Sequence, residues 1–170
     1  MCNEIEKIRV YGDPVLRKMA EKVTDFDSNL QELVDRMNQV MYEKNGIGLA
    51  GPQVGISHKI VTIDLSFGEE VDNILTMINP EILNKEGEAT FEEGCLSVPG
   101  IFEELLRSAK IFARYQDIDG EVQEIEADTM LARVIQHEVD HLEGILFVDR
   151  LSTVKRNLLA KQLRSIAKES

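Results

Sequence analysis

The sequence contains only two cysteines, Cys2 and Cys95, among its 170 residues. Two cysteines cannot build the disulfide framework that holds small secreted domains together. Long apolar runs are missing as well, and no stretch approaches the roughly 18 residues that a membrane-spanning helix requires. The first six residues are acidic, unlike the basic start of a signal or transit peptide. We therefore expect a cytoplasmic protein without a membrane anchor.

Positive charge is also scarce. The chain has 19 Lys and Arg against 31 Asp and Glu, a net charge of −12, which argues against binding to DNA. Residues 151–170 are the exception, because they carry five basic residues and one acidic residue, a net charge of +4. A basic segment on an acidic body is typical of a docking element, although a solvated helix face has the same composition.

Apolar periodicity predicts three helices and several short strands. We predict a single α+β domain over residues 1–170, with mostly antiparallel strands packed around a central helix and a basic C-terminal helix at 151–170. The predicted helices cover 28–43, run from 128 or 129 to about 143, and begin at 152. The predicted strands are 59–65, 74–78, 110–116 and 121–127, with a short extended piece at 92–100.

The strongest local motif is His137-Glu138-Val139-Asp140-His141, in the central predicted helix. Residues four apart lie on one helix face with their Cβ atoms about 5–6 Å apart, so His137 and His141 can bind the same metal ion. The glutamate beside the first histidine can then act on a metal-bound water. A histidine pair can also be a core or capping feature, but the motif favours a metal site.

A hydrolytic metal site needs a third protein ligand and an open position for water. The sequence has no histidine after His141, and Glu143 falls on the wrong face to bind with the pair. Cys95 is the best remaining ligand, because it lies in a glycine-flanked segment whose backbone can approach a site closely. A free cysteine is often only a small buried apolar residue. Next to the histidine pair, we interpret Cys95 as the third ligand.

A metal ion lowers the pKa of its bound water toward about 7, and the resulting hydroxide can attack a carbonyl group. Glu138 can take the water proton and deliver it to the leaving amine. The tetrahedral intermediate needs donors for its oxyanion, and the backbone N–H of Leu96 and the side-chain amide of Gln53 are candidates. Gln53 lies in a glycine-rich segment, 46–55, that can also be read as an ordinary turn.

Three motifs occur together along nearly the whole chain, and as a set they are specific. They are Gly46-Ile47-Gly48-Leu49-Ala50-Gly51-Pro52-Gln53, Glu93-Gly94-Cys95-Leu96-Ser97 and Gln136-His137-Glu138-Val139-Asp140-His141. The set resembles the peptide deformylase family, although the last motif alone is shared with many metalloproteases. The compact length and the final helix are similar to the shorter bacterial form of that family.

The resemblance implies a metal-dependent hydrolase that removes the N-formyl group from the N-terminal formylmethionine of newly synthesised proteins and releases formate. Substrate main chain is expected to pair with the enzyme like an added strand. The implied site residues are Cys95, His137 and His141 for the metal, Glu138, Gln53 and the backbone of Leu96 for catalysis, and Ile47, Gly48 and Gly94 for substrate binding.

The resemblance also implies Fe²⁺ as the cellular metal, which Zn²⁺, Ni²⁺ or Co²⁺ can replace. The expected partners are N-formylmethionyl nascent peptides. The final helix is expected to dock at the ribosome, and the charge of +4 on residues 151–170 suits contact with ribosomal RNA phosphate. We expect a monomer that binds neither DNA nor a membrane.

The chain departs from the family pattern in two places. Gly51 stands where the family usually has alanine, and we expect the missing methyl group to loosen that loop. Residues 101–106, Ile-Phe-Glu-Glu-Leu-Leu, are acidic and apolar for the rim of a peptide site. This departure concerns substrate preference beyond the methionine and not the reaction.

Two other functions compete with the deformylase interpretation. A metalloprotease would cleave internal peptide bonds, although a cysteine as third ligand speaks against it. A closed structural zinc site would need a fourth ligand, for which Cys2 and His58 are the candidates. Separately, Glu93 and Arg107 form either a buried ion pair beside the site or two unrelated surface charges.

Overall fold

The computed structural model describes residues 7–69 and 73–170. Within those residues, none of the helices is long and apolar enough to cross a membrane. In chain order the elements are α1 (Ser28–Glu43), β1 (Gly48–Ala50), β2 (Ile60–Ile63), β3 (Leu75–Glu86), β4 (Ala89–Cys95), β5 (Val98–Arg107), β6 (Lys110–Gln116), β7 (Val122–Asp128), α2 (Thr129–Leu142) and α3 (Thr153–Ala167).

Five strands form one antiparallel sheet in the order β1-β2-β3-β6-β7, while β4 and β5 form a separate two-stranded sheet. β1 is an edge strand, and its Gly48 pairs with Ile63 of β2. Just before β1, the carbonyl of Ile47 accepts the backbone N–H of Asp64 at 2.9 Å. Hydrogen-bonding directions alternate along an antiparallel strand, so the N–H and C=O of Gly48 point away from β2 along the open edge.

Helices α1 and α2 pack on opposite faces of the five-stranded sheet, because side chains alternate along each strand. In β2, Ile60 packs with the apolar face of α1, whereas Val61 and Ile63 pack with α2. From α2, Ala132 and Ile135 are completely buried in the same core. The helix that carries the histidine motif is therefore held by the main core of the protein.

The predicted helices agree with the structure to within a residue or two. α1 follows Asp27, whose carboxylate accepts two backbone N–H groups of the first turn at 3.0 and 3.1 Å. α2 follows Asp128, although that side chain makes no capping hydrogen bond. Gly144 closes α2 with φ +74°, and a Cβ there would lie 2.6 Å from the carbonyl oxygen of Arg17. The predicted α+β class, with antiparallel strands around a central helix and a C-terminal helix, is confirmed.

Strand β3 is longer than the predicted 74–78 and continues to Glu86. Its second half is polar and contains Pro80, so the sequence pattern gives no strand signal there. Pairing with β6 holds this half in place through two register shifts. Asn79 sits at one of them with φ +51°, and its side-chain amide both accepts from and donates to the backbone of Val23 at 2.9 Å.

Strands β4 and β5 form a hairpin where the sequence predicted only a short extended piece ending in a turn. Glu92 and Glu93 stand directly opposite Glu104 and Glu103 in this hairpin. Like charges opposite each other are destabilising, so the pattern does not indicate paired strands. Burial of Glu93 among arginines and an ion pair of Glu103 with Lys155 at 2.9 Å offset the repulsion.

Candidate active site

His137 and His141 lie one turn apart on the buried face of α2. Their ring centroids are 5.0 Å apart in an edge-to-face arrangement. The ring of His137 also stacks on Phe147 at 6.2 Å, which restricts its orientation. The i, i+4 spacing in the sequence therefore does bring the two imidazoles together.

Cys95 reaches the histidine pair from the end of β4, next to the tight turn into β5. Its Sγ lies 3.3 Å from Nε2 of His141. The ligand atoms of Cys95, His137 and His141 all lie within 4.8 Å of one another, the one such group of possible metal ligands found in the described part of the chain.

The donor set fits a divalent transition metal. One thiolate and two imidazoles suit zinc, iron, cobalt or nickel, and three protein ligands leave a coordination position open. A nearby glycine supports this fit, since a Cβ on Gly48 would lie 2.6 Å from Oε1 of Glu138. Glycine at this position thus lets the edge strand lie against Glu138, and a larger residue would have to displace the side chains of Glu138 and Val134.

A buried carboxylate orients one of the two imidazoles. Nδ1 of His137 lies 3.0 Å from Oε2 of Glu93, whose side chain is only 5% exposed. A hydrogen bond at Nδ1 assigns the proton to that nitrogen and leaves Nε2 free to bind a metal. Glu93 is thus a positioning group for His137.

Glu93 belongs to a buried network of alternating charges. Its carboxylate accepts hydrogen bonds from Arg107 at 2.5 and 2.9 Å and from Arg133 at 2.6 Å. Arg107 also donates to Asp140 at 2.9 Å, and Arg150 donates to the same carboxylate at 2.5 and 2.6 Å. Of the two alternatives for Glu93 and Arg107, the buried ion pair is confirmed. Burial opposes ionisation of Glu93, but the hydrogen bonds from His137 and Arg107 outweigh it and lower the pKa of Glu93 to about 2.

Glu138 faces the cavity in front of the ligand pair. It is 4% exposed, and its Oε2 has no hydrogen-bond partner among the described residues. Burial raises the pKa of Glu138 to about 7, although the charges of His137 and Arg107 act in the opposite direction. A carboxyl group with a pKa near neutrality can both accept and return a proton.

Gln53 lies next to Cys95, and hydrogen bonds of its side-chain amide fix its orientation. Its Oε1 accepts the backbone N–H of Ala50 at 2.9 Å, which directs Nε2 toward Sγ of Cys95 at 3.5 Å and Oγ of Ser97 at 3.2 Å. Leu96 follows Cys95 in the turn into β5 and is half-buried. An amide donor and a backbone N–H therefore stand beside the thiolate.

These residues surround one cavity of about 530 Å³, which we name the active-site cleft. Eight of the nine residues predicted from the sequence line it, and His141 lies buried beneath them. A cavity of about 650 Å³ lies on the far side of α2, but no predicted ligand lines it. The lining residues among the predicted set are Ile47, Gly48, Gln53, Gly94, Cys95, Leu96, His137 and Glu138.

The expected effect of Gly51 is wrong. A Cβ at this position would lie 2.7 Å from the carbonyl oxygens of both Ile56 and His58. These are backbone atoms, which cannot move aside without shifting the chain. The absence of a methyl group therefore allows close packing of the loop and does not loosen it.

Of the two candidates for a fourth structural ligand, His58 does not belong to the group of ligand atoms at the site. His58 is exposed, and its Nδ1 faces the carbonyl of Ser57 at 3.1 Å. Cys2 lies outside the described residues.

The sequence analysis did not identify Arg133, Asp140 and Arg150 as members of the buried charge network. Arg133 stands four residues before His137 on the same helix, and that spacing was the available signal.

Comparison with known proteins gives a consistent result. The family model for polypeptide deformylase matches residues 5–157. A peptide deformylase of Acidobacterium capsulatum is 48% identical over 162 residues, which cover 95% of each chain. One from a Thermotoga species is 50% identical over 163 residues, covering 95% of this chain and 96% of the relative.

Solved structures of the same kind share the fold. The peptide deformylase from Thermus thermophilus superposes with a TM-score of 0.90 at 41% identity, covering 96% of this chain and 98% of that one. The peptide deformylase from Legionella pneumophila superposes with a TM-score of 0.89 at 40% identity, covering 96% of each chain.

Proposed function

The chain belongs to the polypeptide deformylase family, metal-dependent hydrolases that remove the N-formyl group from N-terminal formylmethionine, and we propose that it does so at Cys95, His137 and His141 with Glu138 as acid and base. The observation that carries the assignment of residues is the convergence of one thiolate and two imidazoles within 4.8 Å beside a buried carboxyl group. We further propose that residues 1–170 form a single catalytic domain.

A divalent metal held by Cys95, His137 and His141 would supply Lewis acidity for the activation of water and of the formyl carbonyl. Glu138 accepts the proton of the attacking water and returns it to the amine nitrogen as the C–N bond breaks. Glu138 is buried beside the ligand pair, and its Oε2 has no hydrogen-bond partner among the described residues, so it is free to take part in both transfers. Formate and a free N-terminal amine are the products.

Gln53 and Leu96 stabilise the negative charge that develops on the formyl oxygen. The Nε2 group of Gln53 and the backbone N–H of Leu96 are the donors. Gln53 is pre-oriented, because its Oε1 is already bonded to the backbone of Ala50. A donor that needs no reorientation during the reaction stabilises the transition state most effectively, and loss of one typically costs about 10²–10³-fold in rate.

The substrate backbone adds to the open edge of β1. Gly48 presents its N–H and C=O along that edge, and Gly94 lines the facing wall of the cleft. An extended peptide between Ile47, Gly48 and Gly94 brings its formyl group to the ligands by main-chain hydrogen bonds, independently of its side chains. This suits an enzyme that must accept the N-termini of many proteins.

We propose Fe²⁺ as the metal in the cell, with Zn²⁺, Ni²⁺ and Co²⁺ as possible replacements. The cysteine and histidine ligands suit each of these ions, so availability decides which is bound. The test is metal analysis of protein prepared without oxygen from cells, compared with protein purified in air. Zinc in both preparations would contradict the assignment of iron.

We also propose that the enzyme works as a cytoplasmic monomer that contacts the ribosome through α3. On this helix Lys161 and Arg164 are exposed, whereas Lys155 is bonded to Glu103. Replacing Lys161 and Arg164 with glutamate is expected to abolish cosedimentation with ribosomes, since contacts with RNA phosphate require positive charge. Unchanged cosedimentation of this variant would contradict the proposal.

The function is tested by formate release from a formyl-methionyl peptide. Protein purified without oxygen and loaded with Fe²⁺ is expected to release formate, and Glu138→Gln with the same metal content is expected to release very little. An unformylated copy of the peptide is the control for protease activity. Cleavage of that control without formate release would support the metalloprotease in place of the deformylase.

A further inference from the structure

Asp64, directly after β2, is a buried carboxylate that the proposed reaction does not use. It is completely buried and does not line the active-site cleft. A buried charge is costly unless hydrogen bonds satisfy it. The carboxylate of Asp64 accepts the N–H and the hydroxyl of Ser66 at 2.8 and 2.6 Å and the N–H of Gly68 at 3.0 Å. It also accepts the hydroxyl of Tyr42 at 2.6 Å.

These donors come from two separate segments of the chain. Ser66 and Gly68 belong to the turn that follows β2, whereas Tyr42 lies in the last turn of α1. The chain turns directly after the helix, where the N–H of Asn45 bonds to the carbonyl of Tyr42 at 3.0 Å. The side chain of Asp64 therefore joins the end of α1 to the turn after β2.

The backbone of Asp64 holds the segment that leaves α1 at its other end. Its N–H donates to the carbonyl of Ile47 at 2.9 Å. The segment 42–47 is thus bonded to Asp64 at both ends, through the carboxylate at Tyr42 and through the main chain at Ile47. Fixing both ends of a short loop removes conformational freedom that the loop would otherwise keep.

The segment 42–47 leads directly into the edge of β1 that faces the cleft. Ile47 and Gly48 line the cleft, and a Cβ on Gly48 would lie 2.6 Å from Oε1 of Glu138. The edge strand therefore lies in close contact with the proposed acid and base. Main-chain hydrogen bonds need N···O distances of about 2.7–3.2 Å, so a shift of this edge by roughly half an ångström weakens its pairing with a peptide.

We propose that Asp64 is a positioning residue, which holds the open edge of β1 where the main chain of the substrate pairs with it. The inference rests on the proposed function of the cleft and on the addition of the peptide at Gly48. Asp64 acts through Tyr42 and Ile47 and does not touch the peptide. Asparagine at this position cannot accept the same set of bonds, because an NH₂ donor replaces one of the two carboxylate oxygens.

The test compares two substrates of Fe²⁺-loaded enzyme, formyl-Met-Ala-Ala-Ala and formyl-methioninamide. The tetrapeptide has a main chain that can pair along the edge of β1, whereas the amide carries only the first residue. In Asp64→Asn we expect the ratio of kcat/KM for the tetrapeptide to kcat/KM for the amide to fall by about two- to tenfold, the effect of one lost hydrogen bond. The fall should appear in the KM of the tetrapeptide and not in its kcat, since main-chain pairing binds substrate and transition state alike.

A second variant and a matched control accompany Asp64→Asn. Tyr42→Phe removes only the hydroxyl bonded to Asp64 and should lower the same ratio by a smaller factor. Asp117→Asn is the control, because Asp117 directly follows β6 and its carboxylate also accepts backbone N–H groups of its own turn, from Asp119 at 3.0 Å and Glu121 at 2.9 Å. Asp117 does not line the cleft, so this variant should keep the wild-type ratio.

The outcomes separate this inference from the proposed function. An unchanged ratio in both Asp64→Asn and Tyr42→Phe, including equal losses on the two substrates, would overturn the inference and leave the deformylase function standing. A fall of the same size in Asp117→Asn would overturn it as well. If Asp64→Asn does not fold, the ratio in Tyr42→Phe decides alone. No formate from either substrate with the wild type would overturn the proposed function and the inference with it.

Discussion

Arg107 gives the most direct test of the buried charge network. Its side chain is 3% exposed and bonds Glu93 and Asp140, which are 5% and 7% exposed. Arg107→Leu leaves two buried carboxylates with fewer partners, although Arg133 and Arg150 remain. Removing one partner from a buried ion pair costs about 3–5 kcal/mol. For a domain of this size, that corresponds to a fall in melting temperature of roughly 6–20 °C.

Arg114→Leu is the matched control. Arg114 also lies on a strand and also bonds one glutamate, Glu124, through Nε and Nη2, at 3.0 and 2.7 Å. Its side chain is 51% exposed and that of Glu124 is 46% exposed. An exposed pair contributes about 0–1 kcal/mol, so the control should melt within a few degrees of the wild type.

Thermal unfolding with and without a chelator separates charge loss from metal loss, because a metal that binds the folded state adds stability. With the chelator, Arg107→Leu should still melt well below Arg114→Leu. Without the chelator, the difference in melting temperature between the two variants should widen. The loss of Arg107 alters the support of His137 through Glu93, and this weakens metal binding by about 10–100-fold. Equal melting temperatures of the two variants under chelator would refute the assignment of a stabilising role to the network.

Three further predictions concern single side chains. Glu138→Gln should keep its metal but lose about 10²–10⁴-fold in turnover, measured as formate release at matched metal content, and near-normal turnover would contradict its role. Cys95→Ser should bind metal more weakly, since a hydroxyl replaces a thiolate, and full occupancy in metal analysis would require another third ligand. Tyr42→Phe removes a bond to the charged carboxylate of Asp64 and should cost about 1.5–3 kcal/mol in urea unfolding at pH 8. Burial and Asp64 raise the pKa of Tyr42 from 10 to about 12, so its contribution is complete below pH 10 and is lost as the pH rises through about 12. A difference between wild type and Tyr42→Phe that stays constant over that range would contradict this coupling.

The elements that could be predicted are those whose pattern is local. The i, i+4 histidines needed only the geometry of a helix, and α1 needed only its apolar stripe and the cap at Asp27. The β4–β5 hairpin could not be predicted, because its facing glutamates are accommodated by arginines and a lysine distant in sequence. The same holds for Asp140, which lies inside the recognised motif but whose partners come from β5 and from Arg150.

The metal ligands and the mouth of the cleft belong to different parts of the molecule. The ligands lie on α2 and at the end of β4, with α2 held by the buried core and His137 by the charge network, so changes there act on the fold and the chemistry together. Phe67 and Phe102 line the mouth of the cleft from a turn and from β5, and both are largely exposed. Substitutions at exposed positions usually change stability by less than about 0.5 kcal/mol. Relatives with the same ligand set can therefore differ at these two positions without losing the fold, whereas a change at the ligands or in the charge network alters the fold and the site together.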